Sequence, residues 1–462
     1  MKGMVLREGN GTTERDYIKK EPFSKEQLLR LLWPLVIEQL LAVTIGMADT
    51  VMVATAGEAA VSGVSLVDAI NMLLIQIFSA LATGGAVVAS QYLGSKNRDE
   101  ACRSAKQLLY TITGLAVGIM TISLLFCHQI LRFIFGNIEP AVMQNAQIYY
   151  YLTALSYPFL AIYNAGAALY RSMGNSKISM KVSILMNLIN IVGNAVLIYG
   201  LAWGIAGAGT ATLLSRIVAA AFMLVLIRGK DNLIFIDKIL HLEFYPDMIK
   251  RILTIGIPNG LENGMFQIGK LIVQNLITTF GTSAIAANAI AGSVSNFSNI
   301  PGVAIGLGLI TVVGQCVGAR DYDHAIIYTK RLTAAAYLSM GVLNLGLFLF
   351  ATPIISVFGL SAQATASATE IVTYFAVFNA VLWPLSFILP NALRAAGDAR
   401  FTMITSMISM WVFRIGFCYV FSFWLGFGLL GAWFAMFVDW AVRAIVFIIR
   451  FAGGKWKQFS VI

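Results

Sequence analysis

The chain has 462 residues, of which 58% are hydrophobic and only 12% are charged, and its mean hydropathy is +0.78. A soluble protein of this length would carry about 25% charged residues, so the composition excludes an ordinary soluble fold and indicates an integral membrane protein. The formal net charge is +10. The Lys and Arg residues are spread over alternate loops, which favours a role in membrane orientation over nucleic-acid binding.

Apolar segments recur along the whole chain, and roughly 20 apolar residues suffice to cross the hydrocarbon core of a bilayer. Twelve segments reach this length. The predicted fold class is therefore all-α integral membrane, with twelve transmembrane helices in two pseudo-symmetric six-helix lobes. The predicted spans are 28–54, 61–92, 105–132, 146–170, 178–200, 206–228, 251–280, 285–317, 331–353, 366–392, 401–423 and 428–450.

The basic residues predict the orientation of these spans. The loops that follow even-numbered spans hold most of the Lys and Arg residues, whereas the opposite loops hold essentially only Arg132. By the positive-inside rule both termini are cytoplasmic, so we expect a multi-pass protein of the plasma (inner) membrane. The expected organisation is a cytoplasmic N-terminal segment, an N-lobe, an inter-lobe linker, a C-lobe and a cytoplasmic tail at 1–27, 28–228, 229–250, 251–450 and 451–462.

The two halves of the chain repeat each other. The segment SQYLGSKNRDEA at 90–101 returns as GQCVGARDYDHA at 314–325, an offset of 224 positions. The same offset, or one shorter by a residue, relates Pro34 to Pro258, Glu38 to Glu262, Gly57 to Gly281, Arg171 to Arg394 and Gly174 to Gly397. A duplicated membrane bundle is typical of secondary transporters, whose binding site lies between or within the halves.

Signals for catalysis are missing from the sequence. We find no Walker A, GxSxG or HExxH pattern, and the four cysteines have no metal-ligand spacing. We therefore expect no cofactor, no disulfide and no ATP-driven pumping by this chain alone. An integral-membrane enzyme is the alternative from another class. It would need a cluster of His, Asp or Glu at one membrane face.

An ion-coupling site is predicted in the first half. Glu38 and Asp49 are eleven residues apart, nearly three full helical turns, so they share one face about 16 Å apart. A carboxylate inside a span is costly and is a candidate for binding a proton or a cation. In the span 178–200, Asn190 and Asn194 place two amides on one face. We predict that these four residues couple transport to H⁺ or Na⁺, with sodium at Asp49 the only metal considered. The alternatives are a hydrogen bond within the helix bundle for Asp49, interhelical hydrogen bonding for the amides, and a capping or stapling role for Glu38.

A polar cavity is predicted in the second half, because the span 251–280 carries amides and an ammonium along one face. The predicted lining residues, including aromatic side chains suited to organic cations, are Glu262, Asn263, Gln267, Lys270, Gln274, Asn288, Asn299, Tyr163, Phe266 and Trp383. Alternatively, Lys270 neutralises an acid of a neighbouring helix. We interpret Arg414, Asp439 and Arg443 as a structural charge cluster.

Together these segments resemble the multidrug and toxin extrusion (MATE) family over about residues 28–450. The motifs that carry the resemblance are GMADTVMVA, SQYLGSKN, ALYRSMGNSK, NLINIVGNAVLIYG, GQCVGARD and LRAAGDARF. The resemblance implies two six-helix lobes around a central cleft. It also implies export of small amphipathic, often cationic, organic substrates, driven by inward flow of protons or sodium. Membrane lipid is the other expected partner, nucleic acid is not expected, and we expect a monomer.

The chain departs from the family at three positions. Asn194 occupies a position where proton-linked members tend to have Asp. Phe266 and Trp383 occupy the regions of the seventh and tenth spans where the sodium-linked branch tends to place acids. Asp49 is therefore the expected coupling residue, and the choice between proton and sodium stays open.

A flippase of a lipid-linked precursor, from the same superfamily, is the alternative function. It would be expected to have a large basic central cavity, which Lys270 and Arg414 would favour. The acidic Asp49 and Glu262 argue for the exporter.

Overall fold

The protein is described here from a computed structural model that covers residues 21–54, 57–136, 138–237, 241–459 and 461–462. Within the first helix, the side chains of residues 45–51 and 54 lie outside the described part.

Twelve spans form the bundle in the described part of the chain, and they are named α1 to α12 in chain order. Their bounds are Lys25–Ala54, Glu58–Gly94, Arg98–Leu125, Pro140–Leu155 with Tyr157–Ser172 (together α4), Ser176–Gly200, Gly204–Ile227, Pro246–Thr278, Thr282–Gly318, Tyr322–Ser356, Ala362–Ala395, Ala399–Trp424 and Gly428–Ala452. A short helix, Cys127–Phe135, lies between α3 and α4.

Most of these helices are suited to a membrane by length and composition alone. Among the described residues, ten are long and apolar enough to cross a bilayer, and the two halves of α4 together make an eleventh. The twelfth is α7, which is 33 residues long but carries the charged and amide residues of the predicted cavity. The predicted all-α architecture of twelve spans is confirmed.

Prolines mark where two of the spans deform. The halves of α4 meet at an angle of 46°, and Pro158 lies at the start of the second half. In α10, the turn Pro384–Ile388 widens into a π-helix. Both distortions follow from the missing proline N–H and from the clash of its ring with the preceding turn.

The repeated loop after α2 and after α8 has the same backbone in both halves. Lys96 and Arg320 adopt left-handed φ values of 60° and 57°. The next residues, Asn97 and Asp321, cap the following helix, since each side chain accepts a hydrogen bond of 3.2 Å from the backbone amide three residues later. The sequence repeat therefore encodes a repeated turn and helix start.

Each lobe has its own hydrophobic core, and each core includes part of the other lobe's first helix. Leu31 and Leu35 of α1 are buried in the core formed mainly by the C-lobe. Ile252 and Ile255 of α7 are buried in the core formed mainly by the N-lobe. Leu31 and Ile255 are related by the 224-residue offset, so the exchange is reciprocal.

Glycines let the C-terminal ends of α2 and α8 meet backbone to backbone. A Cβ atom at Gly94 would overlap the carbonyl oxygen of Gln315, and one at Gly318 would overlap the carbonyl oxygen of Gln91. Any side chain at either position would force the two helices apart.

Two glutamines then tie the lobes together across this contact. The Gln91 amide donates a 2.7 Å hydrogen bond to the carbonyl of Ala395 in the C-lobe. The Gln315 amide donates one of the same length to the carbonyl of Ser172 in the N-lobe. We call these two hydrogen bonds, with the glycine contacts, the inter-lobe clasp. It lies at the end of the bundle near the last described residues, because Val461 approaches Gly397, two residues after Ala395.

Gly318→Ala is expected to open the clasp, since the added methyl group has no room. Overpacking of this kind costs about 1–3 kcal/mol. We expect a lower melting temperature and a longer distance between spin labels at Ser95 and Ala319, measured by pulsed electron paramagnetic resonance in a cysteine-depleted background. Gly118→Ala is the matched control, because a Cβ there meets no atom within 4 Å. Equal label distances in both variants would contradict the clasp.

Candidate functional site

The lobes separate with distance from the clasp, as the spacing between α2 and α7 shows. A Cβ at Gly256 would lie 2.9 Å from the side chain of Leu81, whereas one at Gly264 would lie 3.9 Å from Leu73. The contact therefore loosens along α7. We infer that the polar face of α7 beyond Gly264 lines a space between the lobes, which we call the cleft.

The predicted ion site lies where α1 packs against α5. Asp49 belongs to helical α1, but its side chain is outside the described residues. The α5 amides are buried, with Asn190 at 6% and Asn194 at 1% exposure, while Leu188 and Val192 on the other side of α5 are exposed. The polar face of α5 thus points into the N-lobe, as the spacing predicted.

The two amides form a short chain of hydrogen bonds. Asn194 donates to the side-chain oxygen of Asn190 at 3.4 Å, and Asn190 donates to the hydroxyl of Thr212 on α6 at 3.2 Å. Interhelical bonding, the alternative interpretation of these amides, is therefore one of their roles. Their predicted part in ion coupling stays a prediction.

Glu38 is held in a buried ion pair. One carboxylate oxygen lies 3.4 Å from the Arg171 guanidinium at the end of α4, and the other accepts a 2.9 Å hydrogen bond from Ser179 of α5. The carboxylate thus ties α1 to both helices. The sequence analysis named Arg171 as part of the repeat but missed it as the partner of Glu38.

The C-lobe repeats this pair and adds a second arginine. Glu262 Oε1 lies 2.7 Å from Arg394 and 3.4 Å from Arg443. Since Glu38, Arg171, Glu262 and Arg394 all recur in the repeat, their shared offset was the signal that could have found both pairs. Arg443 has no counterpart in the first half, so the repeat could not have identified it.

The predicted cluster on α11 and α12 divides into two parts. Arg414 pairs with the fully buried Asp439 at 3.8 Å, and Ser409 also donates to that carboxylate. Arg443 instead reaches Glu262 and donates to the Ser406 hydroxyl at 2.8 Å. Structural pairing is confirmed for Arg414, while the acid that Arg443 meets lies on α7.

Lys270 differs from these arginines because it is exposed and forms no ion pair with any carboxylate that the structure describes. Its ammonium lies 5.0 Å from the centre of the Phe266 ring, and the guanidinium of Arg414 lies 5.2 Å from the same centre. The alternative that Lys270 neutralises an acid of a neighbouring helix therefore finds no partner among the described residues.

The other predicted lining residues differ in their contacts and in their exposure. Asn288 links two helices to α8, since it donates to Gln274 at 2.9 Å and accepts from the Trp433 indole at 3.0 Å. Tyr163 and Trp383 are only 6% and 7% exposed, so they contribute little open surface. The residues of intermediate exposure are Asn263, Phe266, Gln267, Asn288 and Asn299.

Removing Glu262 is expected to destabilise the fold more than removing Glu38. Glu262→Gln leaves two buried arginines without their acid, and breaking a buried pair costs about 3–5 kcal/mol. Glu38→Gln leaves one arginine, which is more exposed. Thermal unfolding of the purified variants in detergent measures the difference. A larger loss for Glu38→Gln would contradict the assigned pairing.

Two duplicated six-helix lobes that are held together at one end define a multi-pass membrane transporter. The MatE family model matches the chain twice, at residues 34–196 and 258–420, so the two matches start 224 positions apart. The chain belongs to the MatE family. It is therefore a transporter and not an enzyme, and the predicted resemblance is confirmed.

Relatives match along nearly the whole chain. An uncharacterized transporter YisQ of Bacillus subtilis (strain 168) is 29% identical over 451 residues, covering 95% of this chain and 97% of the relative. A probable multidrug resistance protein NorM of Thermotoga maritima is 26% identical, covering 97% of both. A solved outward-facing conformation of a multidrug resistance MATE family transporter superimposes with a TM-score of 0.88 at 22% identity, covering 94% of this chain and 97% of that one.

Proposed function

We propose that this protein is a secondary active antiporter that exports small amphipathic organic compounds in exchange for protons or sodium. The observation that carries the proposal is the cleft, which the clasp closes at one end and which is lined by the polar face of α7. Alternating access requires such a closed end and a site that both lobes border. In this proposal the clasp end is cytoplasmic and the membrane is the plasma (inner) membrane.

Coupling is assigned to Asp49, with Asn190 and Asn194 assisting. The first turns of α1 are packed into the C-lobe, whereas the middle of α1 packs beside α5 in the N-lobe. A change in the charge of Asp49 would therefore act on a helix that spans both lobes. Binding of a proton or sodium neutralises the carboxylate and releases a cationic substrate, so only differential affinity between the two states is needed.

Ethidium transport in proteoliposomes tests the proposal, with a proton gradient and a sodium gradient imposed separately. We expect transport under one gradient and not under the other, which identifies the ion. Transport that is independent of both gradients would contradict antiport.

Asp49→Asn is expected to abolish ethidium export while expression in the membrane is unchanged, since an amide cannot release a proton and binds sodium weakly. Glu139→Gln is the matched control, because it removes an exposed carboxylate at the start of α4. Transport is measured under the gradient that drives the wild type. Unchanged efflux in Asp49→Asn would overturn the assignment of coupling to this residue.

A flippase of a lipid-linked precursor is the second candidate. The observation that favours it is the excess of cationic side chains in one C-lobe cluster, where Lys270, Arg394, Arg414 and Arg443 accompany only Glu262 and Asp439. Absence of ethidium transport under either gradient, together with gradient-dependent movement of a lipid-linked pyrophosphate in the same vesicles, would favour this candidate.

A further inference from the structure

We infer that the C-lobe wall of the cleft binds the anionic group of an amphipathic substrate, with Lys270 and Phe266 as the contact residues. The inference rests on the proposed export function and names a substrate class for it: aromatic compounds that carry a carboxylate or sulfonate, zwitterions included.

The position of Lys270 makes it accessible to such a ligand. It lies six residues beyond Gly264, where a Cβ atom would lie 3.9 Å from Leu73 of the N-lobe, and this separation corresponds to about 9 Å along the helix. The preceding residue, Gly269, packs directly on Met410 of α11. Lys270 is 100° further around the helix, on the same side as Gln267 and Gln274, and so borders the cleft.

The charges of the surrounding wall do not cancel. The two acids are already engaged, since Glu262 meets two arginines and Asp439 meets Arg414. Among the described residues, Lys270 is thus a positive charge without an acid, in the C-terminal third of α7. An unpaired ionisable group within a membrane-spanning segment is costly unless it faces water or a ligand, which is why such groups mark functional sites.

The arginines behind Lys270 also retain hydrogen-bonding capacity. Arg443 is 2% exposed, yet its Nε and Nη1 atoms have no hydrogen-bond partner among the described residues, and Nε of Arg414 has none either. Buried donors of this kind are normally satisfied. An anion beside Lys270 would therefore enter a field set by four cations, Lys270, Arg394, Arg414 and Arg443, and two acids, Glu262 and Asp439.

Phe266 supplies the aromatic half of the site. Its ring lies within 6 Å of three cationic groups, those of Lys270, Arg414 and Arg443. Phe266 is only partly buried. Its ring packs on the ring of Phe387 in an edge-to-face arrangement, with the ring centres 6.2 Å apart. An aromatic ring beside a cation suits a ligand that presents a flat apolar group next to a negative charge.

Two fluorescent ligands that differ in one group test the inference. Dansylglycine carries a carboxylate, and dansylamide has the same ring system without it. We expect purified wild-type protein in nanodiscs to bind dansylglycine about tenfold more tightly than dansylamide, which corresponds to about 1.4 kcal/mol. Lys270→Gln should remove this preference, and Lys270→Arg should retain it. Lys330→Gln, an exposed lysine of α9, is the control that should leave it unchanged.

Three results would overturn the inference. The first is equal binding of both ligands by the wild type. The second is an equal loss of both ligands in Lys270→Gln, which would indicate a packing role. The third is that Lys270→Gln has no effect once Asp49→Asn is present, because Lys270 would then serve as the counter-ion of Asp49. Binding needs no ion gradient, so failure of antiport is detected separately, by the ethidium assay.

Discussion

The close approach of α2 and α8 at the inter-lobe clasp is the constraint on which the rest of the structure depends. Gly94 and Gly318 allow the two backbones to touch, and only then can Gln91 and Gln315 reach carbonyl groups of the opposite lobe. These two hydrogen bonds alone stabilise the closed clasp only weakly, since each contributes about 1 kcal/mol to stability. A contact of this strength closes one end of the cleft and can still open during transport.

The duplicated halves share a scaffold but differ in charge. Each lobe uses one Glu–Arg pair to hold its first helix against the end of its fourth, through Glu38 in one half and Glu262 in the other. The C-lobe adds Arg414, Arg443 and Lys270 to this scaffold, and the N-lobe does not repeat them. The Glu–Arg pairs that position helices therefore occur in both halves, whereas Lys270 and the two buried arginines behind it occur in the C-lobe alone.

In the proposed mechanism, this divergence gives the two walls of the cleft complementary tasks. The N-lobe binds the coupling ion at Asp49 and thereby releases the cationic group of the substrate. The cationic C-lobe wall holds an anionic group of the same substrate. A zwitterionic amphiphile would contact both lobes at once, and movement of the lobes would then be sensitive to the charge state of the ion site.

The sequence by itself determined the twelve spans, the duplication and the repeated turns, because hydropathy, glycine positions and helix caps act over short distances along the chain. It also identified the polar faces of α5 and α7, since helical periodicity fixes which residues share a side. Only the tertiary structure decided which charged side chains pair with each other. Glu262 meets Arg394 and Arg443, and Lys270 is left without an acid among the described residues, because pairing depends on how distant helices pack and not on spacing within one helix.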